Sequence, residues 1–117
     1  MARPWHILRD PDGVTLARAL PPRFDVQAET VLPAADPLRL AQQIRQDMWR
    51  ALQRVRGFSP VVRVEPDAQG QAVRVIAGGR IAGVVPPDAG ARIAGVLAHP
   101  GHRARWVRFA RLREGAL

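Results

Sequence analysis

His99 and His102 bracket Pro100-Gly101, and together with His6 they offer three imidazoles, enough to ligate a metal. The spacing argues against it. A Pro-Gly turn keeps the pair off a shared helical face, and no acidic residue lies nearby to orient either ring. Two further stretches, Asp10-Pro11-Asp12 and Glu65-Pro66-Asp67, place carboxylates close together, as a calcium or magnesium loop or an acid–base pair requires. Both are also ordinary turn chemistry, and that is how they are read. Hydroxyl nucleophiles come down to Ser59, Thr15 and Thr30, and Ser59 precedes Pro60 rather than sitting in a Gly-x-Ser-x-Gly elbow. Gly78-Gly79 belongs to no nucleotide fingerprint, since neither Gly-x-Gly-x-x-Gly nor Gly-Lys-Ser/Thr occurs. Cysteine is absent, which excludes disulfides, thiolate nucleophiles and Cys-ligated zinc. The expectation is a non-enzymatic protein with no catalytic residue, metal or cofactor assigned.

The arginines carry more information. All 18 basic residues are Arg, with no Lys, and against 10 acids they give a net charge of +8. Lys, Asn and Tyr, all missing, share AT-rich codons, so one coding bias depletes them together and Arg-for-Lys is not itself a chemical signal. The distribution is. Arg103, Arg105, Arg108, Arg111 and Arg113 face only Glu114 in residues 101–117, which therefore hold +4 of the +8. Interleaved with Trp106 and Phe109, they suit a segment that neutralises phosphates while stacking on bases. The competing reading packs Trp106, Val107 and Phe109 into the core and leaves the arginines solvated.

A long helix extends the same surface. Asp36 is an N-cap, Pro37 suits the first helical position, and Gly57 stands where a left-handed residue ends a helix, so the helix is expected over Asp36 to Arg56. Ala41, Ile44, Met48, Leu52 and Val55 recur at spacings of three and four, forming a core stripe. Arg39, Arg50 and Arg54 fall on the opposite side, and Arg45 and Trp49 at the border.

On either side the period becomes two. Phe24, Val26 and Ala28 alternate with polar residues. Val62 and Val64 pair with Val73 and Val75 across a loop at 65–70, as a hairpin. Gly78-Gly79 suits a tight turn, returning Ile81 to Val85 as another strand. Asp88 caps a shorter helix through Ile93, Val96 and Leu97. Gly79-Arg80-Ile81-Ala82-Gly83-Val84-Val85 recurs twelve residues later as Ala91-Arg92-Ile93-Ala94-Gly95-Val96-Leu97, read first as strand and then as helix. Trp5 to Leu8 and Val14 to Leu16 suit a small hairpin, which Pro21-Pro22 would set apart from the rest. Residues 105–112 admit strand or helix.

These elements define an α+β class: a two-layer sandwich, an antiparallel sheet with helices on one face. A terminal strand would complete the ferredoxin-like order βαββαβ. One domain is expected over 1–117, with 1–22 as an N-terminal arm or small hairpin and 23–117 as the α+β core. No apolar run suits a signal peptide or approaches the ~20 residues of a membrane span, so the reading is cytoplasmic.

Two functions follow. The first is RNA or polyanion binding through Arg103, Arg105, Trp106, Arg108, Arg111 and Arg113, extended by Arg39, Arg50 and Arg54, without sequence specificity because no recognition motif is present. The alternating strands put Arg23, Asp25, Gln27, Glu29, Arg63, Glu65 and Arg74 outward, a balanced face with no ring for base stacking. The second is a protein-interaction or homodimer module, pairing through a sheet edge or through Trp5 and Trp106.

Overall fold

The computed structural model describes residues 5–111. The elements are β1 (His6–Asp10), β2 (Gly13–Ala17), β3 (Val26–Pro33), α1 (Pro37–Leu52), β4 (Phe58–Pro66), β5 (Ala72–Ile81), α2 (Ala89–Ala98) and α3 (Pro100–Phe109). The strands form one antiparallel sheet in the order β1-β2-β4-β5-β3. Leu16, Leu32, Val62, Val64, Val73, Val75 and Ala77 turn one sheet face towards the helices and build the core with Leu40, Ile44, Met48, Leu52, Ile93, Leu97 and Trp106. The α+β sandwich is therefore present.

The ferredoxin-like order is not formed. β3, α1, β4, β5 and α2 follow its first five elements, but residues 100–109 are helix α3 where the last strand would be. The reason lies at its start. Pro100 occupies the first turn, and the His99 side chain accepts a hydrogen bond from the His102 N–H, so an N-cap and a pre-set φ outweigh the strand propensity of Trp106, Val107 and Phe109. The N-terminal hairpin forms, and it is no appendage: Val14 to Ala17 pair with Val64 to Val61, placing Leu16 in the core.

The long helix begins as expected, with the Asp36 carboxylate accepting from the Arg39 N–H at 2.9 Å. It stops earlier, at Leu52 rather than Arg56, because the chain must turn back into β4. Gly57 makes that turn with φ 72°. The core stripe holds, with Ala41, Ile44, Met48 and Leu52 fully buried.

Gly78-Gly79 is not a turn. β5 runs straight through both glycines, and Ile81 to Val85 do not return as a strand. The glycines serve close backbone approach instead. A Cβ on Gly78 would lie 2.0 Å from the Val26 carbonyl oxygen, and one on Gly79 would lie 2.3 Å from that of Ser59. The repeated heptads thus diverge, the first closing β5 and the second lying within α2.

Candidate polyanion-binding surface

The C-terminal arginines divide by use. Arg103 is spent on the fold: its guanidinium donates to Thr30 Oγ1 at 2.6 Å, to the Val31 carbonyl at 2.7 Å and to the Leu97 carbonyl at 3.0 Å, tying α3 to β3 and to the end of α2. Arg105 donates to Asp47 on α1, and the Trp106 indole Nε1–H donates to the same carboxylate oxygen at 2.7 Å. Trp106 is 0% exposed, a core residue and neither a stacking ring nor a dimer surface. Asp47 is itself buried and joins α1 to α3, a role that its count as one acid on a basic helix does not reveal.

Arg108 and Arg111 are exposed, Arg108 lying 5.5 Å from the Phe109 ring centre. Phe109 is also exposed, contrary to its packing into the core. Arg113 lies outside the described residues. On α1, Arg39 and Arg50 are exposed, Arg50 passing 4.0 Å from Asp47. Arg54, just past its end, joins Arg50 and Arg92 in lining an open pocket of about 330 Å³ between α1 and α2. Arg92, which the site as read from sequence leaves out, donates to the Ala51 carbonyl at 2.7 Å and so holds its charge against the end of α1. The three helices carry seven arginines and one acid, Asp47, whereas the five strands carry four arginines and three acids.

The exposed sheet face is balanced in a specific way. Asp10, Arg63, Glu65, Arg74 and Glu29 form a chain of alternating charge across it. Arg63 meets Asp10 at 2.8 Å and Glu65 at 2.7 Å; Arg74 meets Glu65 at 3.1 Å and Glu29 at 2.5 Å. Arg63 also donates to the buried hydroxyl of Thr15 at 2.9 Å. Arg63 first, with the Asp12 backbone N–H next, holds the Asp10 carboxyl down to about 2, and in return the two carboxylates raise the Arg63 guanidinium. Asp25 is lowered by its bidentate contact with Arg23 and by the Ile81 N–H.

The two carboxylate-rich turns meet. Asp10, Asp12, Glu65 and Asp67 line one open groove of about 820 Å³. Asp10 and Glu65 are committed to Arg63, and the Asp67 carboxylate accepts from the Gln71 N–H at 2.8 Å, as turn chemistry predicts. Among the described residues no three His, Cys, Asp or Glu side chains are grouped to hold a metal ion. His99 and His102 do not diverge across Pro100-Gly101. Both fall within the first turn of α3 and its cap, so the rings stack at 4.1 Å, and His102 lies 5.7 Å from Trp106. His6 stands on β1.

One cluster has no sequence signal. Trp5 lies beneath the guanidiniums of Arg18 at 5.4 Å and Arg45 at 4.5 Å, and with Trp49, Phe58 and Pro60 they line a pocket of about 350 Å³. Its members are scattered from residue 5 to residue 60, so no spacing announces them. Among the described residues no helix is long and apolar enough to cross a membrane. No protein-family model, curated protein or solved structure matches the chain.

Proposed function

We propose that this chain is a non-enzymatic binding protein that holds RNA or another polyanion on its helical layer. The observation that carries this reading is the seven-to-one excess of arginine over acid on the helices, beside a sheet on which Arg63 and Arg74 are paired with Asp10, Glu65 and Glu29. Arg39, Arg50, Arg54, Arg92, Arg108 and Arg111 offer charge to phosphates, while Arg103 and Arg105 build the surface that displays it. Guanidinium forks suit phosphate oxygens, and the absence of a base-reading element among the described residues makes the contact electrostatic and blind to sequence. Affinity for a single-stranded RNA tract should then fall by roughly 0.7 log unit per log unit of salt for each phosphate neutralised. Binding at low salt no tighter than that of a neutral protein of equal size ends the proposal.

A second reading rests on a sheet edge. Ile7 and Leu8 are exposed apolar side chains on the outermost strand β1, where another strand can add. Strand addition between copies predicts a dimer by sedimentation at micromolar concentration; a monomer throughout removes self-association.

A further inference from the structure

The two margins of the sheet are finished differently. At β3 the backbone is already engaged, since the Val31 carbonyl accepts from Arg103 at 2.7 Å and Pro33 has no N–H to offer. At β1 nothing comparable occurs. β1 packs on β2 alone, and no helix reaches over it. Its residues pair with β2 in unbroken register, without the proline or bulge that commonly protects an edge, and among the described residues no backbone group outside the sheet bonds to it.

Ile7 shows what is missing there. Its register partner is Leu16, so it points to the side of the sheet that carries the core, yet it is 45% exposed because no helix covers it. Leu8, opposite Thr15 on the other face, is 38% exposed. An apolar side chain therefore stands open on each face of the strand whose outer edge is bare.

The strand His6-Ile7-Leu8-Arg9-Asp10 is complementary to itself. Laid antiparallel against a second copy about a two-fold axis at Leu8, it sets Leu8 opposite Leu8, Ile7 opposite Arg9 and His6 opposite Asp10. The leucines meet on the outer face, the Arg9 stem covers Ile7 on the other, and the His6 ring can donate to the Asp10 carboxylate. Other registers do worse. An axis at Arg9 sets two guanidiniums face to face, and an axis at Ile7 leaves Arg9 and Asp10 beyond the start of the facing strand.

We infer that this chain forms a homodimer by antiparallel pairing of β1 with β1 of a second copy, in the register centred on Leu8. The inference rests on the sheet-edge reading given above and specifies its partner and geometry. The two five-stranded sheets become one continuous sheet. Because the axis then stands normal to that sheet, both helical layers fall on the same side of it, and their arginines with them.

The chain has no cysteine, so a single introduced one is a clean probe. Only a residue on the axis meets its own counterpart within reach of a disulfide, whereas residues 7 and 9 lie roughly 7–8 Å or more from theirs. Mild oxidation of Leu8→Cys at micromolar concentration should therefore give covalent dimer about tenfold faster than Ile7→Cys or Arg9→Cys. The unaltered protein should sediment as a dimer. Leu8→Lys, which opposes two ammonium groups, should weaken that dimer about tenfold. Val84→Lys, at an apolar residue 90% exposed in the loop before α2, should leave it unchanged, with circular dichroism certifying the fold of each variant. A monomer throughout removes self-association and this inference together. A dimer in which Ile7→Cys or Arg9→Cys oxidises as readily as Leu8→Cys, that survives Leu8→Lys, or that Val84→Lys weakens equally overturns this inference alone and leaves self-association standing through another surface.

Discussion

Arginine does opposite work on the two layers of this molecule. On the exposed face of the sheet, Arg63 and Arg74 are fixed between Asp10, Glu65 and Glu29, and the face carries its charges as internal pairs. On the helices only Asp47 answers seven arginines, and it is buried, occupied with Arg105 and Trp106. The same side chain is thus a structural cross-link where strands bring carboxylates into register and a surplus of charge where helices do not. Total charge describes neither layer; the location of the acids does.

The sharpest way to break this contrast is to remove Asp47, the one acid within the spans of α1, α2 and α3. Asp47→Ala leaves the indole N–H of Trp106 and the Arg105 guanidinium without their acceptor, and should cost about 3 kcal/mol in urea denaturation. A decrease below about 0.5 kcal/mol would make Asp47 incidental to α1–α3 packing. Arg63→Gln comes next, since it strands Asp10, Glu65 and buried Thr15 at once; about 1–2 kcal/mol is expected, more than for the exposed Arg74→Gln.

The sheet pairs also set an acid dependence. Asp10 titrates at about 2 instead of 3.8, a folded value below the unfolded one. Its contribution is therefore complete above its ordinary value and is lost as the pH falls towards about 2. Asp10→Asn should flatten the decline in stability between about pH 5 and pH 2, and an unchanged decline would contradict the pairing. The smallest effect belongs to the helices. Arg50→Gln, Arg54→Gln and Arg108→Gln should each change stability by less than about 0.5 kcal/mol, because these arginines are exposed.

Local signals were legible and distant ones were not. The Asp36 cap and the Ile44–Met48–Leu52 stripe mark α1 because both depend on neighbours within a few residues, and the same holds for the β4–β5 hairpin and α2. Pro100-Gly101 reads as a turn and the aromatic residues after it carry strand propensity, which leaves residues 105–112 open between strand and helix until Pro100 is seen to start α3. The Gly78-Gly79 pair reads as a tight turn until Val26 and Ser59 are placed beside it and show a close approach. Trp106 reads either as a stacking platform or as core, and the second holds once Asp47, 59 residues away, supplies its acceptor. The Trp5, Arg45, Trp49 and Phe58 cluster needs β4 and α1 side by side, which pattern alone does not place.

The central claim is that the helical arginines, not those of the sheet, hold a polyanion, and a paired salt titration of binding to a fluorescent single-stranded RNA tract tests it. Arg50→Gln, Arg54→Gln and Arg108→Gln combined should weaken binding and lower the slope of log affinity against log salt by about 0.7 for each phosphate no longer neutralised. Arg63→Gln combined with Arg74→Gln should leave that slope as it is in the unaltered protein. A slope lowered by the sheet pair and untouched by the helical set would contradict the account.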